Sequence, residues 1–235
     1  MSAQHRTYRY FDLVMTAFVV VLVCSNLIGP AKAATISLPL IGPVNYSAGV
    51  LFFPISYIFG DVLTEVYGYA RARRVIWAGF AALIFAAVMA AVVVALPPAP
   101  DWHNQQVYEI AFGSTWRIAG ASMLAYFCGE FVNSYVLAKM KVASAGRNMS
   151  WRFVASTIAG EAVDSSIFYP LAFWNSGIMP NELVGELVIV QFITKVLVEI
   201  AFLPVTVRVV KALKRAENED HFDRSTDFNP FKIEA

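Results

Sequence analysis

Apolar residues recur along the chain in runs of about 20, separated by charged stretches or by segments rich in proline and glycine. A helix rises about 1.5 Å per residue, so about 20 apolar residues cross a hydrocarbon core of roughly 30 Å. The pattern predicts an all-α integral membrane protein with six transmembrane helices: Phe11 to Ile28, Ala48 to Tyr67, Val75 to Leu96, Trp116 to Ala138, Phe153 to Trp174 and Leu183 to Val210. Between the first two, residues 34–47 (ATISLPLIGPVNYS) are too short and too broken to span. The alternation in Thr35–Leu40, followed by Gly42-Pro43, predicts a small hairpin or a re-entrant loop. PPAPDWHNQQ marks an aqueous loop after the third span. From Lys211 onward apolar periodicity is lost, and the tail is expected to be mobile at its end. The expected organisation is an amino-terminal segment 1–10, a membrane domain 11–210 and a tail 211–235.

Composition agrees with lipid as the solvent. Hydrophobic residues make up 58% of the chain and charged residues only 15%, against about a quarter in ordinary soluble domains. His5, Arg6 and Arg9 before the first span, with Ala31-Lys32-Ala33 after it, imitate a signal peptide. Five further spans make an uncleaved first helix the simpler reading. Of the 18 lysines and arginines, 15 fall at the amino terminus, after spans two and four, and in the tail. That asymmetry predicts both termini in the cytoplasm. No broad basic face for nucleic acid is present. Cys24 and Cys128 lie inside apolar spans, and His5, His103 and His221 have no ligand spacing, so neither a disulfide nor a metal site is expected.

Several spans carry polar residues in the wrong solvent. A charge at the centre of a membrane helix costs roughly 2.5–3.5 kcal/mol on insertion scales and needs a partner, a cavity or a task. Tyr57, Asp61 and Glu65 share a face of span two; Tyr126, Glu130, Asn133 and Ser134 a face of span four. Thr157, Glu161, Asp164 and Phe168 align on span five, and Gln191, Lys195 and Glu199 on span six. Ser25 and Asn26 add polarity to span one, while the third span contributes none. Depth along each span puts Asn26, Asp61, Glu130, Glu161, Asp164 and Lys195 near the midplane.

Each group also has a bland reading. Lys195 and Glu199 could be an ion pair within one helix, and Glu65 a solvated interfacial residue near Arg71 to Arg74. Asn26, Asn133 and Gln191 could be hydrogen-bond glue between helices. Glu130 and Asp164 have no neutralising neighbour on their own helices and stand out as functional candidates. Gly113, Gly120, Gly129 and Gly160 would allow close helix approach, and Pro54 and Pro204 are expected to kink spans two and six.

Motifs for ATP hydrolysis (GxxxxGK[ST]), for GxSxG or HExxH hydrolases and for CxxC chemistry are absent from the sequence. Asp61 and Asp164 lack the flanking glycine signature of an intramembrane aspartyl protease. The residues favour a transporter or binding subunit for a small polar solute over an enzyme. A membrane scaffold whose polar strips merely join helices is the competing class.

The stretches CSNLIGPAK, FFPISYIFGDVLTEVYGYARARRVIWAGF, AYFCGEFVNSYVLAKMK, STIAGEAVDSSIF and ITKVLVEIAFLPV resemble the queuosine precursor transporter family, related to proposed vitamin uptake transporters. The resemblance runs in order from about residue 24 to 207; the first 20 residues and the tail after Lys211 carry no signature. It implies six helices and import of the 7-deazaguanines preQ0 and preQ1, with queuine as a further cargo of some relatives, for tRNA modification. It implies no cofactor. On that reading Glu130 and Asp164 accept the N1–H, 2-amino and aminomethyl donors of the cargo, with Glu161 or Asp61 as a third acceptor. Asn26, Asn133 or Gln191 would meet the O6 and ring edge, Tyr126 or Phe168 would stack on the base, and Lys195 would hold the empty carboxylates ionised or hydrogen-bond the purine carbonyl. Glu199, Glu65 and Tyr57 are left for coupling or gating. Coupling to protons, facilitated diffusion and an ATP-driven partner stay open, as does a homo-oligomer.

Overall fold

The computed structural model describes residues 8–28, 33–38, 42–47, 52–113, 116–177 and 180–232. Helix α1 spans Phe11–Ile28, and strands β1 (Ala33–Leu38) and β2 (Gly42–Ser47) follow. The two strands pair antiparallel with Ala33 opposite Ser47, the small hairpin that the alternation and Gly42-Pro43 predict. Helices α2 (Phe53–Tyr67), α3 (Tyr69–Ala95), α4 (Gln105–Phe112), α5 (Trp116–Ala143), α6 (Met149–Phe173) and α7 (Asn181–Glu217) complete the described chain.

Three of these helices, α1, α3 and α7, are long and apolar enough on their own to cross a membrane. Helices α5 and α6 have the length, 28 and 25 residues, but their inward polar side chains lower their hydropathy. Helix α2 has 15 residues, about 22 Å of rise, and is mostly buried among α1, α3, α5 and α7.

Several boundaries differ from expectation. The basic stretch expected as a loop after span two is helical: α3 starts at Tyr69, so Arg71, Arg73 and Arg74 lie in its first two turns. The connection shrinks to Gly68, whose φ of 86° suits a residue without a side chain. Pro54 does not kink α2. It sits in the first turn, where a missing N–H costs nothing. Pro204 lies inside α7 as expected, and Pro170 lies inside α6.

Packing centres on the crossing of α5 and α6. A Cβ on Gly160 would lie 2.9 Å from the Gly129 carbonyl oxygen and 2.8 Å from the Asn133 Cβ, so the two backbones approach as only glycine permits. Phe18 and Leu22 of α1, Val62 and Leu63 of α2, Val75 and Leu83 of α3 and Phe153 of α6 belong to one buried apolar cluster. Outward-facing Phe85, Val88 and Val92 on α3, and Ile189, Leu197 and Phe202 on α7, leave an apolar exterior suited to lipid.

The described ends of the chain meet at one end of the bundle. Glu217, at the end of α7, accepts hydrogen bonds from the Arg9 and Tyr10 amides (2.9 and 2.7 Å) and from the Tyr67 hydroxyl (3.0 Å). The tail begins as helix, running past the expected end of the last span at Val210. Helix α7 continues to Glu217, and residues 218–232 fold back on α3 and α5. Asp223 accepts from the Tyr69 amide at 3.1 Å, Arg73 donates to the carbonyls of Asp227 and Asn229, and Trp77 Nε1 donates to that of Pro230. Phe228 packs on Tyr69 and Tyr135.

Candidate functional site

The polar faces of α2, α5, α6 and α7 meet inside the bundle. Asp61 of α2 accepts from Asn133 Nδ2 of α5 at 2.9 Å. Lys195 of α7 reaches across to α6, lying 3.0 Å from Glu161 Oε2 and bonding Asp164 as well. Its ammonium also sits 4.9 Å from the Phe53 ring centroid. Glu199, one turn further along α7, accepts from the Thr157 hydroxyl and neighbours Asp61. All these groups are buried.

Glu130 stands apart within this cluster. It is 0% exposed, and neither carboxylate oxygen has a hydrogen-bond partner among the described residues. Its carboxylate occupies the space where a side chain at Gly60 would be. The hydroxyls of Tyr57 and Tyr126 and Asn133 Oδ1 are also buried without a partner among the described residues. Unmatched buried polar atoms are costly, typically about 1–3 kcal/mol each, so their concentration around one carboxylate makes this the candidate site.

The charge balance points the same way. Five carboxyl groups (Asp61, Glu130, Glu161, Asp164, Glu199) face a single ammonium, Lys195, which is already engaged by two of them. A low-dielectric interior does not hold that excess of negative charge, so protons or a cationic ligand must offset it. Among the described residues no group of three His, Cys, Asp or Glu is arranged for a metal ion. A narrow pocket between α6 and α7 has Thr157 and Glu199 on its wall, with Phe153, Val196 and Leu203.

Not every candidate joins the cluster. Asn26 bonds the Leu22 carbonyl and accepts from Ser122 at 3.2 Å, as a helix-joining amide does. Phe168 belongs to an aromatic group with Tyr169 and Phe173. Gln191 lies half-buried one turn before Lys195. Lys195 and Glu199 are not an ion pair within one helix; their partners are on α6 and α2. Asp164 therefore has a neutralising partner that its own helix does not reveal, whereas Glu130 has none among the described residues.

Glu65 is not the solvated residue that its place near the α3 arginines suggests. It is 0% exposed and contacts Arg152 at 2.6 Å, Lys214 at 2.7 Å and Lys141 at 3.7 Å. Lys141 and Lys214 in turn hold Asp220 at 2.6 and 2.7 Å. The nearby arginines of α3 point elsewhere, because Arg73 is taken by tail carbonyls and Arg71 by Tyr8 and the Tyr67 carbonyl. Sequence reading missed Gly60 as the seat of Glu130, and Arg152, Lys141 and Lys214 as partners of Glu65. Helical spacing shows a residue's own face, not what lies opposite.

Comparison with known proteins adds to this geometry. A family model described as "Putative vitamin uptake transporter" matches residues 47–209. A Bacillus subtilis protein named a probable queuosine precursor transporter is 29% identical over 174 residues, covering 74% of this chain and 73% of its own. The queuosine precursor transporter of Escherichia coli is 28% identical over 160 residues, 66% of this chain and 67% of its own. No solved structure matches.

Proposed function

The chain belongs to the family described as "Putative vitamin uptake transporter", and from that premise we propose that it imports 7-deazaguanine precursors of queuosine, preQ0 and preQ1, across the bacterial inner membrane. The names of the two relatives supply the cargo class. The observation that carries the reading to particular residues is Glu130, buried with both oxygens unmatched. A 7-deazaguanine presents N1–H and the 2-amino group side by side, and one carboxylate accepts both in parallel. Tyr57 and Asn133, with unmatched atoms beside it, meet the carbonyl and the remaining ring edge.

Asp61 and Glu199 form the second acceptor pair, suited to the aminomethyl cation of preQ1. Glu161 and Asp164 are held by Lys195 and orient the wall. The end of the bundle that carries the Glu65 network faces the cytoplasm in this reading, because the basic residues concentrate there. Six helices then cross the membrane, with α2 supported by its neighbours rather than by lipid.

A panel of purines, 7-deazapurines and vitamins tested for thermal stabilisation of the purified protein checks the cargo class. Ligands that bind the native state raise stability by mass action. Stabilisation by 7-deazaguanines alone is expected; a shift with a vitamin and none with any deazaguanine would move the cargo elsewhere. No shift with any compound would favour a scaffold.

A further inference from the structure

We propose that the segment 218–232 is a latch that holds the cytoplasmic end of the transport path shut, acting through Asp220 on the ion network around Glu65 and through Asp223 on the start of α3. The inference rests on the transporter reading above. It follows from the order of contacts along α2 and α5. Asp61 meets Asn133 at the site, Thr64 bonds Ser134 at 3.0 Å, and Glu65 meets Lys141. From Asp61 to Glu65 is one helical turn, about 6 Å. A cargo leaving the site toward this end passes directly through the Glu65 network.

That network ties four helices and the tail together. Glu65 (α2) receives Arg152 (α6) and Lys214 (α7), while Lys141 (α5) donates to the carbonyls of Glu65 and His221 at 2.6 Å each. Asp220 of the tail bridges Lys141 and Lys214. Three cations around one buried carboxylate would repel one another, and Asp220 supplies the second negative charge that offsets them. Beyond it, His221 lies against Gly68 at the α2–α3 corner and Phe222 against Gly146 in the α5–α6 connection. Asp223 then accepts from the first amide of α3, where it also meets the positive end of the helix dipole. The strap thus spans the ends of α2, α3, α5 and the start of α6, which must separate for the site to open this way.

The experiment uses the full chain carrying Ser134→Cys, with Cys24→Ser and Cys128→Ser to remove the native thiols. Inside-out vesicles are treated with a membrane-impermeant maleimide, and labelling is compared with and without Asp220→Asn plus Asp223→Asn. Proteolysis of the tail reports its release, and Asp220→Glu serves as the conservative control. Release of the latch is expected to speed labelling at least 5-fold, with Asp220→Glu close to the parent. Equal labelling in the double variant and the parent overturns the proposal. If the tail is released and the path stays closed, the strap is no latch; if the tail stays bound, these carboxylates do not hold it. Labelling needs no cargo, so this result is independent of whether a 7-deazaguanine is transported.

Discussion

The carboxylate of Glu130 rests on the backbone of α2 at Gly60, in the volume that any larger residue there would fill. An alanine in a helix interior is ordinarily more favourable than glycine by roughly 0.5–1 kcal/mol. Gly60→Ala is expected to do the opposite of a neutral helix substitution. Displacing the carboxylate should weaken 7-deazaguanine binding on the order of 10-fold, about 1.4 kcal/mol, while the chain still folds. Titration of the purified variant with preQ1 measures this. Unchanged affinity would show that the seat of Glu130 is irrelevant to the ligand.

Among the described residues Lys195 is the one cation within the five-carboxyl cluster, held between Glu161 and Asp164. Removing one partner of a buried ion pair leaves an uncompensated charge and costs roughly 3–5 kcal/mol. Lys195→Met is therefore expected to lower the midpoint of thermal unfolding by on the order of 10 °C. Adding Glu161→Gln and Asp164→Asn should restore most of the loss. A melting curve of the single variant that overlays the parent's would mean that the pairing contributes little.

The α5–α6 crossing leaves no room at Gly160, where both the Gly129 carbonyl and the Asn133 Cβ close in. Backbone cannot yield as a flexible side chain does, so Gly160→Ala forces the helices apart at a cost of about 1–3 kcal/mol. The shift also moves Asn133 from Asp61. Both reduced thermal stability and reduced uptake per folded molecule are expected, read by melting and transport on the same preparation. Gly120, which meets nothing within 4 Å, is the control: Gly120→Ala should leave both intact.

Docking of the tail should depend on pH in one direction. Partial burial disfavours the charged form of Asp220, but hydrogen bonds from Lys141 and Lys214 outweigh it and hold the carboxyl below its ordinary 3.8. A group whose value is depressed on docking contributes stability above the undocked value and loses it as pH falls through the docked one. The tail should stay docked from pH 7 to 5 and release only below about 4. Hydrogen exchange at the amides of residues 218–232 follows this; protection already lost at pH 5 would contradict it.

Much of this was legible in the sequence, and the gaps have physical causes. Polar residues at three- and four-residue spacing marked the faces of α2, α5, α6 and α7, because lipid leaves such side chains only an inward direction. The spacing does not reveal partners across helices. Hence Asp164 looked uncompensated although Lys195 neutralises it, and Glu65 was placed beside the arginines of α3 rather than against Arg152 and Lys214. The docking of the tail was hidden for a different reason. Phe222 and Phe228 have no helical or strand period, so they carry no periodic signal, yet each finds a fixed surface at Gly146 and Tyr69. The one-residue corner at Gly68 was hidden by the basic residues after it, which resemble a solvated loop although Arg73 is bound by tail carbonyls.

The most direct test of transport through Glu130 is uptake of labelled preQ1 by the purified chain alone in liposomes, comparing the parent with Glu130→Gln at equal reconstitution. Saturable uptake by the parent without a partner protein is predicted, and repeating it with and without a pH gradient separates proton coupling from facilitated entry. Loss of a charged acceptor for two hydrogen bonds should reduce uptake by Glu130→Gln on the order of 100-fold, about 2.7 kcal/mol. No uptake by the parent, or equal uptake by the variant, would contradict the account.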